Sequence, residues 1–423
     1  MANNFDSNFT RKIMQSFLDK FESERVLTKN VDTQLFAGKF NPSTGENIDI
    51  KRPTDYVSVR TAKGDLTAET ASDIITGKAT ATVQDYFTTF VDYDEADEAI
   101  KMDQLDELLA PMATRMKTDF ELDFAAFMMK NSGLLSGTVG TAATTWDDIA
   151  GYGSIMDASG VPMDSQWCVA VNPFTQRKLA SDQRSLGAGG SAGGLISEAH
   201  KRAILSDNFA GMKVMSANTL ASFTTGAGAD RVGAITSVDV TYVTAKDTMT
   251  QAITVSGFNA NLVVKAGDRL EVTGRNRLNL STRTVILDET ATAIKFSGVV
   301  TTDVTLSGTG TGVIVITGPA IFEAAGQYNT TDSAIAAADV ITLLGAASTV
   351  LQPNLFWHKQ AFTCASVPIK KLKATDTIAT TTDGLQFRVT RDSDFTKNQN
   401  KVRIDFRPAY GVMNPFFAGH GWG

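Results

Sequence analysis

Residues 263–274 read VVKAGDRLEVTG. Val263 and Val264 are apolar, Lys265-Ala266-Gly267-Asp268 is a turn, and Leu270 and Val272 then alternate with Arg269 and Glu271. This pattern predicts a strand, a tight turn and a second, half-buried strand. Gly267 supplies a turn conformation that most residues resist. From about residue 224 to about 345 the composition is rich in Thr, Val, Ala and Gly, with short strands and turn residues throughout. A compact β-module thus sits inside a chain that begins with long helical patterns. It could be a ligand-binding barrel, a catalytic domain or an insertion serving a larger architecture.

The 423 residues exceed what one hydrophobic core organises, so two or three modules are expected. With 43% hydrophobic and 20% charged residues, the chain has the balance of a folded soluble protein. Its net charge of −7 argues against a main task of gripping nucleic-acid phosphates, which needs an excess of Lys and Arg. Cys168 and Cys364 are the two cysteines. They form no disulfide framework or CxxC knuckle, which points to folding in a reducing compartment. The N-terminal stretch MANNFDSNFTRKIMQSF has no apolar run of the signal-peptide type. No stretch approaches the ~18–20 apolar residues that span a bilayer.

Phe9, Ile13, Phe17 and Phe21 stand at helical spacing and predict an amphipathic helix over 7–24. Residues 38–90 are punctuated by Pro42, Gly45, Pro53, Gly64 and Gly77. They read as a long extended arm or hairpin, because structureless loops of that length are uncommon. Over 103–131, Leu105, Leu108, Met112, Met116, Phe120 and Phe124 begin one broad apolar stripe, the strongest helix of the chain. Pro111 either kinks that helix or ends a short first turn. Helix is expected from Asp147 to Ala158, a buried strand in SQWCVAVNP, helix after Pro173, and helix again at 195–205. KVRIDFRPAYGVMNP reads as an alternating strand, followed by a Gly/aromatic tail, FFAGHGWG.

Chemical signals are thin. GAGGSAGG (187–194) matches G-x-G-x-x-A through Gly187, Gly189 and Ala192. A dinucleotide fingerprint requires a strand before it, and RKLASDQRSL reads as helix. A flexible exposed loop is the better reading of Gly187, Gly189, Gly190, Gly193 and Gly194. His200, His358 and His420 show no HExxH or zinc spacing. No GxSxG elbow nominates a nucleophile. The acidic run VDYDEADEAIKMDQLDE (91–107) could hold a carboxylate pair or a metal. Its place before the long helix favours simple stabilisation of the helix N-terminus instead. No catalytic, cofactor-binding or metal-binding residue is expected.

Several stretches taken in order resemble the tailed-phage major capsid proteins of the Hong Kong 97 fold. The subtype is that typified by the coat protein of Salmonella phage P-twenty-two, which carries an inserted β-barrel. They are the Asp6-Ser7-Asn8 start of the first helix, GKATATV (77–83), DEAIKMDQLDELLAP (97–111) and FELDFAAFMMKN (120–131). VVKAGDRLEV (263–272), QPNLFWHKQAF (352–362), VPIKKL (367–372) and VRIDFRPAYGVMNP (402–415) continue the series.

The resemblance implies an α+β fold. Its parts are an N-terminal arm (1–35), an E-loop region (36–82), a P-domain with a spine helix (83–135) and a first A-domain part (136–222). An insertion β-barrel domain (223–345), a second A-domain part (346–400) and a C-terminal strand with tail (401–423) follow. It implies a structural protein, not an enzyme, that self-assembles as hexamers and pentamers into an icosahedral head of the T=7 kind around double-stranded DNA. No cofactor, membrane or sequence-specific DNA contact is implied. Scaffolding and portal proteins are implied partners, with assembly in the host bacterial cytoplasm and residence in the virion. Lys246 and Asp247 are the candidates for contact between capsomers, and Gly267 and Asp268 for the turn of the insertion domain. Neither covalent cross-linking nor self-cleavage is expected. The rival functions are an encapsulin-like compartment and a carbohydrate-active enzyme with a β accessory module.

Overall fold

A computed structural model describes residues 17–33, 46–52, 56–72, 74, 77–94, 105–164, 166–186, 205, 208–228, 230–238, 247–323, 326–372, 375–394, 396 and 399–423. The chain forms two compact units. One comprises Met1–Ile48, Thr80–Ala125 and Phe362–Gly411; the other comprises Asp49–Ala79, Ala126–Ala361 and Val412–Gly423.

The long helix runs over Leu105–Lys130 with Pro111 inside it, so the proline does not end a separate first turn. Its 26 residues span about 39 Å at ~1.5 Å per residue. Met112, Met116, Phe120 and Phe124 follow one another at four-residue intervals and are all buried, as one apolar stripe of a 3.6-residue helix requires.

In the first unit, strands Thr375–Thr380, Gln386–Asp394, Gln399–Phe406 and Phe87–Asp94 form an antiparallel sheet in that order. Phe387 and Phe406 stack at 4.8 Å between ring centroids. Phe21 meets Phe387 edge-on at 4.8 Å, and Phe120 meets Phe406 edge-on at 4.9 Å. Offset and T-shaped pairs of this kind add to their area burial. Residues 17–24 are helical and bury Phe17 and Phe21 in this cluster. The earlier part of the helix expected over 7–24 lies outside the described residues.

The closing stretch, expected as one alternating strand, is two. Gln399–Phe406 belongs to the sheet above, whereas Pro408–Val412 pairs with Lys78–Val83. The break falls at Arg407-Pro408, where proline has no N–H to continue a ladder.

The second unit holds a five-stranded sheet in the order Leu134–Ser136, Ala418–Gly421, Asn354–His358, Trp167–Val171, Lys213–Ser216. All five residues of Trp167–Val171 are buried. The Gly/aromatic tail is not a loose end: Ala418–Gly421 is a buried strand inside this sheet. Its glycines are there for space. A Cβ on Gly419 would lie 2.2 Å from the Phe356 ring, and one on Gly421 would lie 2.3 Å from the Tyr152 ring. Helix Trp146–Ala158 starts at a capping box in which Thr145 and Asp148 satisfy each other's backbone N–H.

Between Val232 and Leu343 six antiparallel strands close into a barrel. Their order is Arg269–Asn276, Lys295–Val300, Gly312–Thr317, Thr250–Ser256, Val232–Val238, Val340–Leu343. Ile253, Val255, Leu270, Phe296, Ile314 and Ile341 are among the side chains that fill the interior, leaving it a packed core rather than a ligand chamber. The chain enters and leaves through one stem, where Phe223–Thr224 pairs with Val350–Leu351. Residues 56–72 form no helix or strand and are almost all exposed. The helix expected at 195–205 lies almost wholly outside the described residues. No described helix is long and apolar enough to cross a membrane.

Candidate functional sites: the barrel seat and the arm clamp

The turn opening strand Arg269–Asn276 closes with Asp268 N–H donating to Lys265 O at 3.0 Å. Gly267, its third residue, has φ +99°, the left-handed value that a type II turn demands. Asp268 is fully buried. It accepts from Lys265 N–H at 2.9 Å and pairs with buried Arg231 at 2.9 Å. Burial pushes its carboxyl above the ordinary range even so.

Arg269 comes next, and it is 1% exposed. The alternation of Arg269 and Glu271 against Leu270 and Val272 correctly puts Arg269 on the outside of the barrel. That outside is not solvent: it is where the barrel meets the loop that follows the long helix. The guanidinium donates to Ser132 O at 2.8 Å and Gly133 O at 3.1 Å, and also to Leu134 O. Its Nε donates to His420 Nδ1 at 3.2 Å. Since Nδ1 accepts, the other ring nitrogen carries the proton, and Nε2 donates to Met129 O at 2.8 Å. Arg277, equally buried, donates to Gly133 O at 3.1 Å and Ser297 O at 2.7 Å. Its guanidinium lies 5.4 Å from the Phe416 ring centroid.

The electrostatic logic rests on backbone rather than carboxylates. The carbonyls at and beyond a helix C-terminus carry partial negative charge and attract cations. Burial holds the Arg269 guanidinium well below its usual pKa, and neighbouring Arg277 adds to the effect. Burial likewise lowers Arg277 to about 10. Burial, then the Arg269 charge, pushes His420 well below 6.5, so the imidazole is neutral. A second contact comes from the excursion between the two barrel strands Arg269–Asn276 and Lys295–Val300. Asn279 Nδ2 donates to Ala158 O at 2.8 Å, and Leu280 N–H to Ser159 O at 3.1 Å. Both acceptors lie at the C-terminal end of helix Trp146–Ala158.

In the first unit Glu121 of the long helix is fully buried. Its carboxylate accepts from three successive backbone N–H groups: Val26 at 3.3 Å, Leu27 at 2.7 Å and Thr28 at 3.0 Å. The Thr28 hydroxyl adds a bond at 2.5 Å. They lie at and just before the start of the short helix Thr28–Asn30, whose N-cap is Leu27, where a carboxylate is favourable. Arg25 adds an ion pair to Asp383. Residues 25–28 are thereby clamped to their unit.

Lys246 and Gly187–Gly194 lie outside the described residues, as do Glu95 and His200. Asp247 is partly buried. Burial lowers the Arg52 guanidinium to about 10, and the charge of Asp247 opposes that shift. His358 is buried and bonds Asp164 at 2.9 Å. Among the described residues no group of His, Cys, Asp or Glu is placed to hold a metal ion. Cys168 and Cys364 are free and buried; burial pushes the Cys168 thiol up to about 11 and raises Cys364 as well. Such thiols are poor nucleophiles.

Arg269, Arg277, His420 and Glu121 were not singled out as site residues. An arginine in the polar position of an alternating strand looks solvated. The available signal was the immediate Asp-Arg succession after a glycine turn, and it is weak. The profile of the family described as "P22 coat protein - gene protein 5" matches residues 1–422. The chain belongs to the P22 coat protein family. It is 32% identical, over all of both chains, to the "Major capsid protein" of Acyrthosiphon pisum secondary endosymbiont phage 1. Among solved structures it is similar to that of Mycobacterium phage Che8, at 12% identity and TM-score 0.44, covering 94% of this chain and 90% of the other. It is also similar to the capsid of Cyanophage P-SCSP1u, at 12% identity and TM-score 0.41, covering 92% and 85%. Membership makes the chain a structural protein of a phage capsid and not an enzyme. The encapsulin-like compartment and the carbohydrate-active enzyme find no support in it.

Proposed function

We propose that this coat protein builds an icosahedral head of the Hong Kong 97 kind, as hexamers and pentamers, around double-stranded DNA. In this reading residues 223–345 are an insertion domain, residues 36–82 an E-loop laid over a neighbouring subunit, and the helix Leu105–Lys130 the spine of a P-domain. The single observation that carries the reading is the family match over 1–422. The barrel supports it. Its interior is filled, and its outer face is locked to the end of the long helix through Arg269. It acts as a brace for the subunit, with no chamber for a substrate.

Scaffolding and portal proteins are the proposed assembly partners, in the cytoplasm of the host. Co-expression of the full chain with a scaffolding protein from its phage, followed by negative-stain microscopy, tests the reading. Uniform closed shells are expected; a chain that stays monomeric under every condition overturns it. Within that reading Lys246 and Asp247 contact a neighbouring capsomer. Asp247→Lys should then impair shell formation while the monomer still folds, and normal shells from that variant remove the assignment.

A further inference from the structure

Asp383 is followed by Gly384, the one Asp-Gly step among the 423 residues, and the chain has no Asn-Gly step. The step sits at the tip of the hairpin that joins strands Thr375–Thr380 and Gln386–Asp394. Thr381 N–H donates to Leu385 O at 2.8 Å, and Gly384 N–H to Thr381 O at 3.0 Å. Gly384 has φ +88°, the left-handed glycine that closes a three-residue hairpin loop. It is exposed, and apart from its chain neighbours nothing lies within 4 Å of where a Cβ would stand.

An Asp-Gly step carries its own chemistry. The Gly384 nitrogen can bond to Cγ of Asp383, and its proton leaves with the carboxylic OH as water. The product is a five-membered succinimide ring. Water then opens the ring at either carbonyl. Opening at Cγ restores the original chain. Opening at the main-chain carbonyl breaks the old peptide bond and leaves Gly384 joined through the side chain, as an isoaspartate. Glycine favours the attack because no Cβ hinders its nitrogen and its backbone turns freely. Water, first released and then taken up, is the only other reactant.

Two groups of the N-terminal segment hold this step in an unreactive form. The buried Arg25 guanidinium pairs with the Asp383 carboxylate. Glu22 accepts from Thr382 N–H at 2.6 Å and from its hydroxyl at 3.1 Å. Attack requires the Gly384 N–H to leave Thr381 O, and the Asp383 side chain to leave Arg25 and swing toward its own main chain. Both movements are opposed while residues 22–25 stay on the turn. Residues 26–28 are held in their turn by Glu121. A short segment of this kind opens locally at less cost than the whole fold. We infer that Asp383-Gly384 is a self-modification site that residues 22–28 keep closed, so that isoaspartate forms there when this segment lifts away. The product is a lasting record of that opening. The isoaspartyl link adds a carbon to the main chain and moves the carboxylate. The turn that offered Thr382 to Glu22 and Asp383 to Arg25 then does not re-form.

Ageing of the full chain in warm neutral buffer tests this. Isoaspartate at residue 383 is read by electron-transfer fragmentation of the tryptic peptide 374–388. Arg25→Met and Glu121→Gln should each accumulate it about tenfold faster than wild type, the rate equivalent of one hydrogen bond to a charged group. Asp383→Glu should form none, because its longer side chain does not close the five-membered ring. Glu121 bonds neither reacting residue, so its variant keeps the test decisive should Arg25→Met fail to fold. Rates equal to wild type in both variants overturn the inference, as does faster formation at any other aspartate than at residue 383. Acceleration in Arg25→Met alone also overturns it, since the guanidinium and not the segment would then guard the step. The chemistry needs no shell, so the outcome is independent of whether the chain assembles.

Discussion

Arg269 Nε donates to His420 Nδ1 across 3.2 Å, and the opposite ring nitrogen donates to Met129 O. One imidazole thus joins a barrel strand, the last strand of the chain and the end of the long helix. The joint can close only with a neutral histidine, because a proton on Nδ1 would face the guanidinium.

Acid should therefore weaken the seat. The folded pKa of His420 lies well below its ordinary 6.5, so below pH 6.5 the unfolded chain binds a proton that the folded chain refuses. Stability then falls as pH drops from 6.5 toward the lowered value, by up to about 1.4 kcal/mol per pH unit, and is unaffected by this group above 6.5. Denaturant unfolding at pH 7.5 and 5.5 measures the slope. His420→Gln should have the shallower slope over that interval; equal slopes would show that His420 does not set it.

Removing the guanidinium should cost more than any surface change. Arg269→Met takes this donor from the buried carbonyls of Ser132 and Leu134 and from the His420 nitrogen, while Gly133 O keeps only Arg277, at about 3–5 kcal/mol. Arg269→Lys should recover only part of that loss, because an ammonium cannot present the planar fork that reaches several acceptors at once. Chemical denaturation of the three proteins ranks them. A lysine variant as stable as wild type would mean that charge alone matters at this position.

Gly267→Val combines two penalties. The φ of +99° is costly for a β-branched residue, and a Cβ there would stand 3.0 Å from Met129 Cε and 3.1 Å from the Phe223 ring. About 1–3 kcal/mol is expected, expressed as temperature-sensitive folding of the subunit. Thermal melting checks it, and a wild-type melting curve would contradict it.

Glu121→Gln keeps the shape of the arm clamp and removes its charge. Three N–H groups and a hydroxyl lose a charged acceptor, at roughly 1–3 kcal/mol. Limited proteolysis should cut within residues 17–33 faster in the variant while the melting of the barrel is unchanged. Equal cutting rates would place the anchoring of that segment elsewhere.

The alternation of Leu270 and Val272, the Gly267 turn, the Met112–Phe124 stripe and the strand Trp167–Val171 were all legible, because each is a local pattern with one physical solution. The seat was not. Alternation tells which side of a strand Arg269 is on, but not that another part of the chain covers that side. The strand Ala418–Gly421 was hidden for a related reason. Its glycines mark the rings of Phe356 and Tyr152, residues far away in sequence, whereas glycine in isolation reads as a loop. Pro408 was visible, but its effect depends on the neighbours that Phe406 and Ala409 separately acquire.

The most direct test of the account is a high-resolution reconstruction of shells formed by the full chain. The predicted map shows the Arg269 guanidinium in the loop of residues 132–134 with His420 against it, in every subunit of a closed particle. Closed particles in which the barrel has left this seat, with Arg269 in solvent, would contradict the account.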